Sequence, residues 1–392
     1  MRRLLPLVWA YLSHHPIQTG VLFACLSLTL YLPFALYGLG MSVQASLMER
    51  AKQTPMLIGA RGSQLDLVLH GLYHRTEVPG RIPHSVVQTV ERGRAAQAIP
   101  LFTVHSAKGY PVVATRLDYF DWREFILAKG SLPMRLGDCV LGAKVADELD
   151  LRPGDRLLTD NVEFFDLAGR YPLNMRVTGI LQSSNPADDA AVFVDLRTGW
   201  LIEGIGHGHD ALNEATDSDQ ILEIRNGVYV GSPAVREFTE VTTDNLGSFH
   251  FHGDPASFPL TAVIALPHDE RAETLLLGRF IADDSAYMAV RPMDVVSDLF
   301  ERLLPLKRLL SIQNVFLAVV VISLITLVVL LSLRLRKDEF ETMQFMGCSP
   351  GTITFLWLSE LALLLLAALL FALISAGITV WLGSEWLRGM IG

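Results

Sequence analysis

Cysteine is scarce in this chain. Cys25, Cys139 and Cys348 are the three found in 392 residues; they fall in an N-terminal apolar run, a long mixed middle and a short charged segment near the end. No two share a neighbourhood in which to pair, so an internal disulfide is excluded as an organising element. The chain has no Cys-x-x-Cys pair, and it lacks the Gly-x-x-x-x-Gly-Lys-Ser/Thr phosphate loop, so it does not bind ATP by that route. His-Glu-x-x-His is missing too, which removes the commonest metalloprotease signature; the polypeptide is expected to be non-catalytic. Basic residues are few: 32 Lys and Arg against 41 Asp and Glu, a net charge of −9. No segment clusters them as a phosphate-binding surface needs, so nucleic acid is excluded as a partner.

Apolar residues are abundant. They make up 51% of the chain, with 19% charged and a mean hydropathy of +0.35. That is too apolar for an ordinary soluble protein and too polar for a bare bundle of spans. Asn314 to Leu333 are twenty residues without a charge, and Arg334, Arg336 and Lys337 follow at once, so a membrane crossing ends there on the cytoplasmic side. Arg2 and Arg3 precede an earlier apolar run, Ile17 to Leu39, and place the N-terminus in the cytoplasm; Pro33 kinks that helix without ending it. Leu22-Phe23-Ala24-Cys25 resembles a lipoprotein-processing box, but the apolar run continues past it, so an intact anchor is expected. A last run, Phe355 to Leu382, is about 42 Å long as a helix, enough for one crossing and too short for two.

These signals divide the chain into a cytoplasmic N-terminus (1–16), spans at 17–40, 309–334 and 353–383, a cytoplasmic segment at 335–352 and an outside tail at 384–392. Residues 41–308 form an ectodomain that alternates strand-like and helix-like runs with Gly and Pro breaks, an α+β pattern. Strands are expected at Val112–Thr115, Arg176–Leu181, Ala191–Val194 and Leu260–Leu266, all rich in β-branched residues. Helices are expected at Ser85–Gly93, at Ala143–Leu149 and at Asp269–Phe280, where Ala272, Leu275, Leu276 and Phe280 mark an apolar face. Arg197–Gln220, polar, glycine-rich and acidic, reads as a mobile loop or a boundary between subdomains. Helical stalks, Met41–Lys52 and Pro292–Leu310, join the ectodomain to the spans.

Between the second and third spans the sequence runs Asp338-Glu339-Phe340-Glu341-Thr342-Met343-Gln344-Phe345-Met346-Gly347-Cys348-Ser349-Pro350, a short helix closed by glycine, followed by a span that carries Glu360. This arrangement resembles the permease subunits of the MacB/FtsX/LolC class of ABC transporters. Two further stretches are similar to that class: Leu57–His70 with Tyr73-His74, as in a proteobacterial subgroup, and Val140–Ala146 with Leu151-Arg152-Pro153-Gly154-Asp155 and Val177–Leu181, as in its periplasmic core domain. The resemblance implies a mechanotransmission permease with a large α+β periplasmic domain inserted between spans 1 and 2; three spans are visible where the family has four. It implies a separate ABC ATPase subunit that holds ATP and Mg, a second permease copy, a periplasmic adaptor or lipoprotein partner, and a multi-pass location in the bacterial inner membrane. In that class the short helix is the coupling helix. By position, Asp338, Glu339 and Glu341 would face basic groups of the ATPase, Phe340 and Met343 would fill its groove, and Gly347 would end the helix. Glu360 is assigned a structural role within the spans.

Two His-x-His pairs carry other chemistry. His207-Gly208-His209-Asp210 and His250-Phe251-His252-Gly253-Asp254 each offer two imidazoles and a carboxylate, enough to ligate zinc if the two segments meet. A metal-binding or metal-sensing envelope protein is therefore the rival reading, and a regulator of a periplasmic hydrolase a third. Trp122, Phe125, Trp200, Phe249 and Phe251 are candidates to line an apolar cargo groove.

Overall fold

A computed structural model of the chain describes residues 12–14, 16–74, 80–160, 172–209, 221–225, 228–231, 238–281, 286–302, 304–335 and 337–391. It divides into two units, one built on Met1–Leu47 with Leu299–Arg388 and the other on Met48–Asp298 with Gly389–Gly392.

The first unit is helical. Helix Pro16–Gln53 is continuous through Pro33, and helix Pro350–Ile391 runs for 42 residues. Within them, Thr19–Ser42 and Pro350–Gly383 are long and apolar enough to cross a membrane, and only 17% and 22% of their most apolar stretches are buried. Core helices of water-soluble proteins bury their apolar sides; here Ile17, Leu28, Ile374 and Trp381 are all more than 60% exposed, so these faces require a non-aqueous surround. A third helix, Leu304–Leu335, is unbroken for 32 residues and contains the apolar stretch Ala318–Leu327.

The first and last of these helices pack in the same direction. Phe23 meets Phe371 edge-on at 5.5 Å, the Tyr31 and Thr379 hydroxyls are 2.9 Å apart, and Leu39 lies against Gly383. Contacts that climb together on both helices define parallel neighbours. Buried Ala368, Ala372 and Ala376 recur every fourth residue on the last helix, a stripe of small side chains that lets helix backbones approach closely.

The second unit is built on an 11-stranded mixed sheet. Along its main path the order is Tyr287–Val290, Met56–Ala60, Ala262–Pro267, Ala96–Phe102, Tyr110–Thr115, Val192–Asp195, Asp138–Leu141, Asn174–Leu181 and Leu127–Gly130. Val192–Asp195 pairs parallel with Tyr110–Thr115 and antiparallel with Asp138–Leu141. These central strands read Val-Phe-Val and Cys-Val-Leu because both their faces are covered; Cys139 has no solvent exposure and burial pushes its thiol far up. Asn174–Leu181, nearer the edge, alternates half-buried and buried positions, the period-2 pattern of a strand with one face in the core.

The predicted elements sit close to the observed ones, Ser85–Glu91, Ala143–Leu149 and Glu270–Ile281 among the helices. Three expectations need correction. Leu275 is 55% exposed while Ala272, Leu276 and Phe280 are buried, so the packed face of its helix is narrower than the apolar pattern. Leu260–Leu266 is two strands, broken where the Thr261 hydroxyl enters the ladder, accepting from Thr103 N at 3.2 Å. Arg197–Gln220 is not all loop: Leu196–Ile202 is a helix capped by Asp195, which accepts from Arg197 N at 2.9 Å, and Gly206–Gly208 is a strand. Residues 210–220 lie outside the described residues.

Candidate functional site

The segment from Asp338 to Pro350 forms a corner in which the end of one helix and the start of the next are both capped. Lys337–Phe345 is a helix with Asp338 and Glu339 in its first turn, where carboxylates offset the positive helix end. It stops at Gly347, whose φ of +90° is the left-handed conformation glycine adopts without strain. Cys348 N donates to Met343 O and Gly347 N to Gln344 O, each at 3.0 Å, the paired bonds of a Schellman stop. The next helix begins directly. The Ser349 hydroxyl accepts from Thr352 N at 3.3 Å, and Pro350 occupies the first helical position, where no amide proton is missed.

Of the residues assigned to this corner, Asp338, Glu339 and Glu341 are exposed, and Phe340 and Met343 are half-buried. The apolar side chains held out to solvent are instead Phe345 and Met346, 90% and 72% exposed, which the sequence reading did not single out. Glu360 is only 8% exposed and lies on the same four-residue repeat as Leu364 and Ala368, within helix packing.

A second constellation was not foreseen. Arg50, in the last turns of helix Pro16–Gln53, is buried and bonds both Asp188 carboxylate oxygens, at 2.5 and 2.9 Å, while its Nε donates to Leu72 O. His74 Nε2 and the Tyr119 hydroxyl each lie 3.5 Å from Asp188 Oδ1. The Arg123 guanidinium lies 4.0 Å above the Trp122 ring centre and 5.6 Å from that of Tyr119. Burial by itself would push the Asp188 carboxyl up, but the Arg50 charge and hydrogen bonds, with lesser help from His74 and Arg123, hold it far below the ordinary range. His74 is driven down mainly by burial; Asp188 pulls the other way, and the Arg50 and Arg123 charges add to the depression.

A depressed histidine contributes stability that is present above its ordinary value of about 6.5 and lost as pH falls below it. Asp188 follows the same sign in a lower window, below about 4. The chain in detergent is therefore expected to lose thermal stability between pH 7 and 5, less steeply in His74→Asn, since asparagine tolerates the left-handed φ of 54° at this position. Parallel melting curves of the two proteins across that range check this.

The two His-x-His pairs do meet. Strands Gly206–Gly208 and Phe249–Phe251 pair antiparallel with His207 opposite His250, and His252 N extends the ladder to Ile205 O at 2.9 Å. Residues two apart on a strand share a face, so the four imidazoles converge on one side. Nitrogens of His207, His209 and His250 lie within 4.8 Å of one another, and His252 Nε2 is 3.4 Å from His207 Nε2. The other side is closed by aromatic rings: a Cβ at Gly206 would sit 2.6 Å from the Phe251 ring, and one at Gly208 2.8 Å from the Phe249 ring. His207 is pushed down to about 4, first by burial and then by its neighbours His250, His252 and His209. Of the flanking carboxylates, Asp254 is engaged in capping Ala256 N at 2.9 Å, and Asp210 lies outside the described residues.

The aromatic candidates do not form one groove. Phe125 packs with Phe193 at 5.3 Å and Phe120 at 5.7 Å, and Trp122 borders that cluster through Tyr119; Trp200 packs with Phe258 at 5.0 Å. Phe249 and Phe251 back the histidine ribbon.

Comparison with solved structures returns the periplasmic region of MacB from Actinobacillus actinomycetemcomitans, with a TM-score of 0.34 and 14% identity over 65% of this chain and 97% of that one. It also returns the extracellular domain of the noncanonic ABC-type transporter YknZ from Gram-positive bacteria, with a TM-score of 0.33 and 8% identity over 60% of this chain and 98% of that one. No family model and no curated protein matches the chain.

Proposed function

We propose that the chain is the membrane-embedded, non-catalytic subunit of a MacB-class ABC transporter. In this reading a separate ATPase supplies ATP and Mg chemistry, and this chain turns ATPase closure into work by a periplasmic domain on a lipoprotein, lipid, peptide or similar cargo. The corner at Lys337–Pro350 carries it. A free surface turn between two apolar helices needs no Schellman stop, no serine cap and no proline start within four residues, nor does it gain from holding Phe345 and Met346 in water. A docking element that must pass displacement into a span gains from all of these, because a pre-ordered surface loses little entropy on association. In the transmission model the acidic helix is gripped by basic groups of the ATPase, and the last helix moves with the first, its parallel neighbour. Within the ectodomain unit, Arg50 makes a bidentate bond to Asp188. The exposed apolar faces of the long helices would be covered by lipid and by a second copy of the chain in the inner membrane.

Membrane-impermeant maleimide tests the topology this requires. Native Cys348 should react only after the inner membrane is opened. Gly247→Cys, where a new side chain meets nothing within 4 Å, should react from outside, as should Arg388→Cys if three spans cross. Outside labelling of Cys348 would overturn the reading.

A further inference from the structure

We propose that His207, His209, His250 and His252 form a binding site in the ectodomain for a single divalent d-block cation of the zinc type. The inference rests on the ribbon alone and is independent of the transporter reading.

Four imidazoles crowd onto one side of the ribbon, their ring centres 4.7–5.5 Å apart where they touch. No thiolate is present, and Asp254, the flanking carboxylate within the described residues, is bound elsewhere; an all-imidazole donor set suits Zn²⁺, Ni²⁺ or Cu²⁺ and not Mg²⁺ or Ca²⁺, which take oxygen ligands. The spacing also fits. With Zn–N bonds of about 2.0–2.1 Å, two ligands of a tetrahedron stand about 3.3 Å apart. His252 Nε2 and His207 Nε2 are 3.4 Å apart, longer than a good hydrogen bond and close to that tetrahedral edge. His250 Nδ1 is 3.1 Å from Ser248 O, so it carries the proton and leaves Nε2 as the lone-pair donor, the orientation a metal-binding histidine is normally given. The ribbon is stiffened from behind. Gly206 and Gly208 let Phe251 and Phe249 lie flat against the backbone, and the Arg197 guanidinium is 5.1 Å from the Phe251 ring centre. The sequence alternates Gly-His-Gly-His on one strand and Phe-His-Phe-His on the other, apolar backing on one face and imidazole on the other.

The test uses the full chain in detergent, stripped with EDTA and titrated with Zn²⁺ by calorimetry, with Co²⁺ as a visible-spectrum probe of coordination. The wild type should bind one Zn²⁺ per chain, give the intense absorption of tetrahedral Co²⁺, and melt at higher temperature with Zn²⁺ present. Excess Mg²⁺ or Ca²⁺ should not displace it. In His250→Ala/His252→Ala, both positions being exposed, affinity should fall by at least about 100-fold and the Co²⁺ spectrum should disappear. Melting in EDTA should be unchanged, and His268→Ala should bind as the wild type does. If the double variant fails to fold, the single His250→Gln exchange serves in its place. A wild type that takes up no Zn²⁺, or Zn²⁺ uptake unaltered by these exchanges, overturns the assignment.

Discussion

Asp188→Asn should destabilise the ectodomain by about 3–5 kcal/mol, the cost of leaving one partner of a buried ion pair uncompensated. Arg50 is 2% exposed, as is Asp188, so water cannot replace the lost carboxylate. Arg123 adds a second positive charge whose field Asp188 also offsets. At about 2–4 °C per kcal/mol for a domain of this size, the melting temperature should drop by about 10 °C. The reciprocal exchange Arg50→Met strands the carboxylate instead and should cost a similar amount. The double variant Arg50→Met/Asp188→Leu separates stability from transmission. Replacing both charges of a pair by apolar groups of similar volume is often neutral, so this protein should melt above either single variant, short of the wild type because Arg123 loses the compensation of Asp188. Loss of transport in the double variant beyond what its melting accounts for would assign the ion pair a role besides stability. A single variant as stable as the wild type would show that the pair is not closed off from solvent.

The second large effect is expected at the proposed docking corner. Glu339→Lys/Glu341→Lys should reduce affinity for the ATPase by at least about 100-fold, since like charges set against each other across an interface cost several kcal/mol. The variant itself should insert and fold normally. Both carboxylates are exposed, and the Lys337–Glu341 contact of 3.7 Å is a surface pair worth a few tenths of a kcal/mol at most. Phe345→Ala tests the apolar part of the same surface and should weaken association without altering its salt dependence, whereas wild-type association should weaken in high salt. Recovery of an undiminished complex from the charge-reversed protein would count against docking at this corner.

Much of this architecture was legible in the sequence, for physical reasons that differ by element. Uncharged runs and their basic flanks are strong signals because few other structures tolerate them, and Gly347 and Ser349-Pro350 marked a stop and a start by backbone chemistry alone. The histidine ribbon was half legible. Its period of two says strand, but only the fold could bring residues 43 apart, His207 and His250, into register. Arg50 and Asp188 were opaque. Lys52 and Asp189 stand beside them with the same charges and are far more accessible, and no local pattern separates a buried guanidinium or carboxylate from a solvated one. Exposure on the short charged helix was equally hidden: Phe340 and Met343, assigned to the docking surface, are half-buried, whereas Phe345 and Met346 stand exposed, and all four look alike in sequence.

One consequence follows from the seat of Cys139. Sealed in the central strand with its thiolate suppressed, it is inert toward maleimides, oxidants and disulfide-exchange enzymes while the domain stays folded. The ectodomain can thus work in a compartment that oxidises thiols without registering redox conditions, and sudden reactivity of this one sulfur would be a built-in reporter that the sheet had opened.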